Sequence, residues 1–181
     1  MRTSIRARMT GGVIAGLMAG HTGGALGQSA TRQRPGQEPS QEASFASLMT
    51  DRVEVRQRPG FDQPVAVVFR RAGMPVRILE QAKGWRRIED RDGASGWVPA
   101  ELVSGRRTAV VIVPQGAAAN ASVAVRASDR PGGEPVALLE PGVVVGVVTC
   151  DGRTCRISTS GVRGYVDQTQ IWGVGESEIV R

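Results

Sequence analysis

The sequence predicts an all-β fold of two small β-barrels in tandem, and three observations predict it. From residue 44 onward, apolar runs of strand length are separated by Gly, Pro, Asp and Ser. The runs follow one another directly instead of alternating with helical segments, which argues against a βαβ plan. They also return in one order at a nearly constant spacing, the mark of an internal duplication.

The chain starts with a different kind of segment. Arg2, Arg6 and Arg8 precede an uncharged, mildly apolar stretch from Met9 to Ala19, and small residues follow up to Gly27. This is the pattern of a secretory signal peptide over 1–27. A membrane span needs roughly 20 apolar residues, about twice what is present, so no stable membrane anchor is expected. No cysteine near Gly27 offers a lipid attachment point, and Arg6 and Arg8 are not adjacent as a twin-arginine signal requires. The expected location is therefore exported, periplasmic or extracellular. Residues 28–43 are rich in Gln, Pro, Ser and Glu without apolar periodicity, and are read as a disordered spacer.

Without the leader, Lys plus Arg falls from 23 to 20 against 17 acids, so the formal charge falls from +6 to +3. Residues 44–113 hold 12 basic and 8 acidic side chains, whereas 114–181 hold 6 and 7. An anionic partner would face the first half.

The folded part reads as two units, 44–113 and 114–181. In the first, Val53-Glu54-Val55 alternates and stops at Pro59-Gly60; Val65 to Phe69 is continuous and stops at Gly73; Val76 to Leu79 precedes Lys83-Gly84. Trp85 to Val98 forms a hairpin about Asp92-Gly93, and Gly96 leaves room for a close backbone. Leu102-Val103 closes the unit, and Thr108 to Val113 runs on from it as a β-branched strand. Six landmarks then recur. Val53, Pro64, Gly73, Arg87, Gly96 and Leu102 are echoed by Val123, Pro135, Gly142, Arg156, Gly164 and Ile171, at offsets of 68 to 71.

A unit of about 60 residues buries little surface, so large side chains matter. Trp85 and Trp97 are expected to be structural, each worth about 4–6 kcal/mol before entropy if fully buried; Tyr165 and Trp172 are assigned the same role in the second unit. Thr154 stands where Trp85 stood, and Cys150 and Cys155 flank an Asp-Gly turn close by. Across a hairpin in an exported protein they should form a disulfide that stands in for the lost indole. A redox pair would have two intervening residues, and a metal site would need partners. The one histidine, His21, leaves with the leader.

The pattern W-x-R-I near D-G-x-x-G-W-V, preceded by V-x-V-R-x-x-P-G, resembles the bacterial SH3-like (SH3b) domain. It stands here as Trp85 to Val98 behind Val53 to Gly60, and more loosely as Cys155-Arg156-Ile157, Gly164-Tyr165-Val166 and Ile171-Trp172-Gly173. The resemblance spans about 45–175. It implies an SH3-like barrel per repeat, and attachment to cell-wall peptides or other envelope components.

Catalysis is not expected: no mature histidine serves as base, no phosphate loop follows a strand, and Glu89, Asp90 and Asp92 belong to a turn. No cofactor, metal or nucleic acid is expected either. Two classes remain, a module binding cell-wall peptide and an envelope protein that docks a protein partner. On charge alone, the candidate contact residues are Arg58, Arg70, Arg71 and Arg91.

Overall fold

The computed structural model describes residues 44–113, 116–118 and 121–181. The expected signal peptide, 1–27, and spacer, 28–43, lie outside the described residues. Apolar alternation makes strands, and Gly, Pro and Asp end them. The first sheet contains β1 (Ser44–Leu48), β2 (Val53–Arg56), β3 (Val65–Phe69), β4 (Pro75–Ala82), β5 (Trp85–Glu89), β6 (Ser95–Pro99) and β7 (Val103–Ser104). Their order is β3-β2-β6-β5-β4-β1-β7, every pairing antiparallel. The second contains β8 (Thr108–Val111), β9 (Val123–Arg126), β10 (Pro135–Leu139), β11 (Val144–Asp151), β12 (Thr154–Thr159), β13 (Val162–Asp167) and β14 (Ile171–Trp172), in the matching order β10-β9-β13-β12-β11-β8-β14. A last strand, β15 (Ile179–Val180), pairs with β11. Among the described residues the fold is all-β, two SH3-like barrels in tandem, with three-residue 3-10 turns at Ala100–Leu102 and Gln168–Gln170.

The duplication holds position by position in the core, although Pro135 answers to Val65 and not to the expected Pro64, since Arg126 faces Pro135 as Arg56 faces Val65. The first core is Ala46, Leu48, Val53, Val55, Phe69, Val76, Ile88, Val98 and Val103. Cross-strand register matches these nine with Ala109, Val111, Val123, Val125, Leu139, Val145, Ile157, Val166 and Ile171. Ile171 thus answers to Val103, one residue beyond the expected Leu102: Leu48 faces Val103 as Val111 faces Ile171. Gly96 and Gly164 point inward where two strands nearly touch. A Cβ there would come within 2.7 Å of the Arg56 carbonyl oxygen or 2.5 Å of the Arg126 one, so only glycine fits. Asp-Gly turns lie at Gly93 and Gly152, with φ of 87° and 94°.

Two expectations need correction. Thr108–Val111 does not belong to the first unit; it pairs with β11 and β14 and opens the second, so the sheets divide at 105–107 instead of 113/114. Its partner in the duplication is Ser44–Leu48, which the apolar pattern did not mark as a strand. The other correction concerns the disulfide. Cys150 and Cys155 are bonded, directly opposed across β11 and β12 with Cα atoms 4.1 Å apart. Both are buried in the second core. Their counterparts are Gln81 and Arg86, which face each other across β4 and β5. The staple therefore replaces an arginine on the inner side of the strand, and the Trp85-to-Thr154 exchange is on the outer side.

The repeats meet through specific contacts. Arg107 donates both Nη groups to the Glu178 carboxylate at 2.8 Å, and Nη2 also reaches the Gly173 carbonyl at 3.2 Å. Its guanidinium lies 5.9 Å from the centre of the Phe45 ring, and Phe45 meets Trp172 edge-on with centroids 5.2 Å apart. Trp172 thus packs at the joint between barrels.

Candidate functional site

Strand alternation decides which side chains meet solvent. Ile88 and Val98 face inward, so Arg87 and Trp97 face outward on neighbouring strands, directly opposed in register. Arg56 is opposed to Trp97 on the other side. The second repeat repeats this row as Arg126, Tyr165 and Arg156. Trp85, Trp97, Tyr165 and Trp172 are all half-buried and outside the two core clusters, which are aliphatic apart from Phe69 and the disulfide. The indole burial expected to stabilise the first barrel is therefore supplied by Val, Ile and Leu.

The outer faces differ where the β2–β3 loop and its counterpart approach the sheet. In the first repeat Phe61 leans on Trp85, ring centroids 5.1 Å apart. In the second, Pro131 and Thr154 hold the equivalent places, and a trough of about 460 Å³ opens between them. Arg126, Asp129, Arg130, Asp151, Tyr165 and Asp167 line it.

Several of these groups are fixed in place. Arg126 donates to the Gly133 carbonyl at 2.7 Å. Asp151 accepts from the Thr154 and Arg153 amides at 2.7 and 2.9 Å, and those bonds hold its carboxyl below the usual carboxylate range. Asp167 accepts from the Thr169 amide and hydroxyl at 2.9 and 2.7 Å. The trough thus offers carboxylates, guanidiniums and one phenol within a single recess. Such a surface can grip a ligand carrying both donors and acceptors. No group of three or more His, Cys, Asp or Glu among the described residues is placed to hold a metal ion.

Of the four arginines chosen on charge, the structure brings two together. Arg71 and Arg91 line a cleft of about 180 Å³ between the repeats, with Val110 and Trp172 on its far wall. Arg71 donates to the Gly142 carbonyl at 3.4 Å, and Arg91 pairs with Asp92. Arg58 and Arg70 are exposed and line neither this cleft nor the trough. The trough residues were missed because charge counting favours the first half. The signal that finds them is the joint loss of two bulky residues, at positions 131 and 154, from one face of the duplication.

Comparison with known proteins gives one family. The bacterial SH3 domain matches residues 50–105 and again 111–173. No curated protein matches the chain. Among solved structures, NlpC2 from Trichomonas vaginalis is similar at 14% identity and a TM-score of 0.31, covering 73% of this chain and 48% of its own. NlpC1 from the same organism gives 15%, 0.31, 74% and 47%, and an NlpC/P60 family protein from Bacillus cereus gives 9%, 0.31, 71% and 56%. The chain spans about half the length of these structures. No helix among the described residues is long and apolar enough to cross a membrane.

Proposed function

The chain belongs to the bacterial SH3 domain family, in two tandem copies, and from that premise we propose that it is an exported, non-catalytic module that binds a cell-wall peptide. The trough of the second repeat is the contact surface. The observation that carries this reading is the difference between the copies: one outer face is filled by Phe61 on Trp85, whereas the other is open and lined by fixed charges of both signs. A wall peptide presents amides, carboxylates and amines, which suit alternating acceptors and donors.

The test is retention of the mature protein on purified sacculi at low salt. Arg126→Ala combined with Asp129→Ala, both exposed positions, should weaken retention by about tenfold, the scale of a central polar contact. A wild-type protein that is not retained would overturn the reading.

One observation favours a second reading, an envelope protein that docks a protein partner. Arg71, Arg91 and Trp172 meet in the cleft between the repeats, a basic and aromatic combination common at interfaces. Capture of a single partner by cross-linking in intact cells, with sacculi binding nothing, would favour it.

A further inference from the structure

We propose that the first repeat carries a carbohydrate site of its own, in which Phe61 on Trp85 is the platform for the apolar face of a pyranose ring. This goes beyond the reading above, since it concerns another repeat and another class of ligand. Phe61, in the loop between β2 and β3, is 72% exposed. Its ring leans on half-buried Trp85 with the two planes at 59°. A large aromatic ring held in water against a second ring is an apolar contact surface.

The polar edge of the site is built beside it. Arg52, Glu54 and Arg56 share a recess of about 280 Å³ with Phe61. The Glu54 carboxylate lies between Arg52 at 3.1 Å and Arg56 at 2.8 Å, and Arg56 also donates to the Gln63 carbonyl at 2.7 Å. Donors and an acceptor are therefore fixed in one row next to two aromatic rings. A pyranose has matching chemistry: its C–H face is apolar, and the hydroxyls on its rim both donate and accept.

Other ligand classes fit less well. An extended peptide adds to a free strand edge, but β2 is already paired on both sides, by β3 and β6. A polyanion would meet the Glu54 carboxylate between the two guanidiniums. In the second repeat, where Pro131 and Thr154 replace the rings, the platform is gone, which provides an internal control.

The experiment is a titration of the full mature chain with a soluble β-linked tetramer of N-acetylglucosamine, followed by tryptophan fluorescence and by amide NMR shifts. The expected result is a fluorescence change with shifts clustered around Glu54, Phe61 and Trp85. Phe61→Ala should weaken binding by about tenfold, and Glu54→Ala should also weaken it, whereas Glu140→Ala, an exposed position of the second repeat outside the trough, should leave it unchanged. Because Phe61 is exposed, its removal spares the core. Absence of any response at ~10 mM sugar, well above a millimolar dissociation constant, would overturn the proposal. So would undiminished binding by Phe61→Ala. The soluble sugar carries no peptide, so a response to it reports on the first repeat alone, whereas the trough is read from the retention lost by Arg126→Ala with Asp129→Ala.

Discussion

At the far end of the β4–β5 hairpin, the first barrel is closed by an arginine, and at the matching end of β11–β12 the second is closed by a disulfide. Arg86 points inward, donates Nη1 to the Val103 carbonyl at 3.2 Å and leaves Nε buried without a partner. Cys155 occupies the same inward position and is fully buried against Cys150. The nine core positions that surround these ends are apolar in both copies. The barrel interior thus tolerates Leu for Val or Leu for Phe, since packing asks for apolar volume of about the right size. Its ends and outer faces are free to diverge, because they are decided by a few contacts each.

The comparison breaks most readily at the shared centre. Ile88→Ala and Ile157→Ala, both fully buried, should each lower unfolding free energy by about 2–5 kcal/mol in urea denaturation. If one cost less than half the other, the two cores would not be equivalent.

A smaller effect sharpens the contrast between the ends. Replacing Cys150 and Cys155 by alanine should cost about 2 kcal/mol, the loop-closure value for a ring of about six residues. Because Gln81 and Arg86 are opposed in the same register, Gln81→Cys with Arg86→Cys should form the corresponding bond in the first repeat. Thiol titration would check this, and failure to oxidise would show that the hairpin ends differ in backbone as well as side chain.

The smallest effect concerns the joint, which has no counterpart inside either repeat. Burial disfavours the charged form of Glu178, but the hydrogen bond from Arg107, the Gly175 amide and the Arg107 charge outweigh it and hold the carboxyl below its ordinary 4.5. A carboxyl lowered in the folded state stabilises above its unfolded pKa, and that contribution is lost as pH falls through the folded value. Glu178→Gln should therefore cost under about 1 kcal/mol at pH 7, and the variant should lose less stability than wild type on acidification below pH 4.5. Urea midpoints at pH 7 and pH 3 check both.

The duplication and the disulfide were legible in the sequence because both depend on residues close along the chain and on a steady offset. The first strand of the first repeat was not, and that of the second was legible as a strand but not as part of its own repeat, for a reason the register supplies. Ala46 corresponds to Ala109, an offset of 63, because four residues (49–52) link β1 to β2 while eleven (112–122) link β8 to β9. Those seven extra residues removed the echo from the constant spacing, and β-propensity alone does not say which sheet Thr108–Val111 joins. The indoles were placed inside because aromatic residues are often buried, yet period-two alternation from Ile88 already sends Trp85 outward, and from Val98 sends Trp97 outward. The trough was out of reach because Pro131 and Thr154 are far apart in the chain and unremarkable singly.

The pinned connector at 105–107 makes the pair of repeats a caliper. With Arg107 gripped by Glu178 and the Gly173 carbonyl, and Phe45 set against Trp172, these contacts oppose any change in the span from the Phe61 ring to the trough. A polymer whose own chemical groups recur at that span would seat its second contact with little further loss of rotational freedom, whereas a shorter or mismatched fragment would engage one jaw alone. Discrimination between intact and degraded polymer would then be a matter of length, measured by the rigidity of the joint.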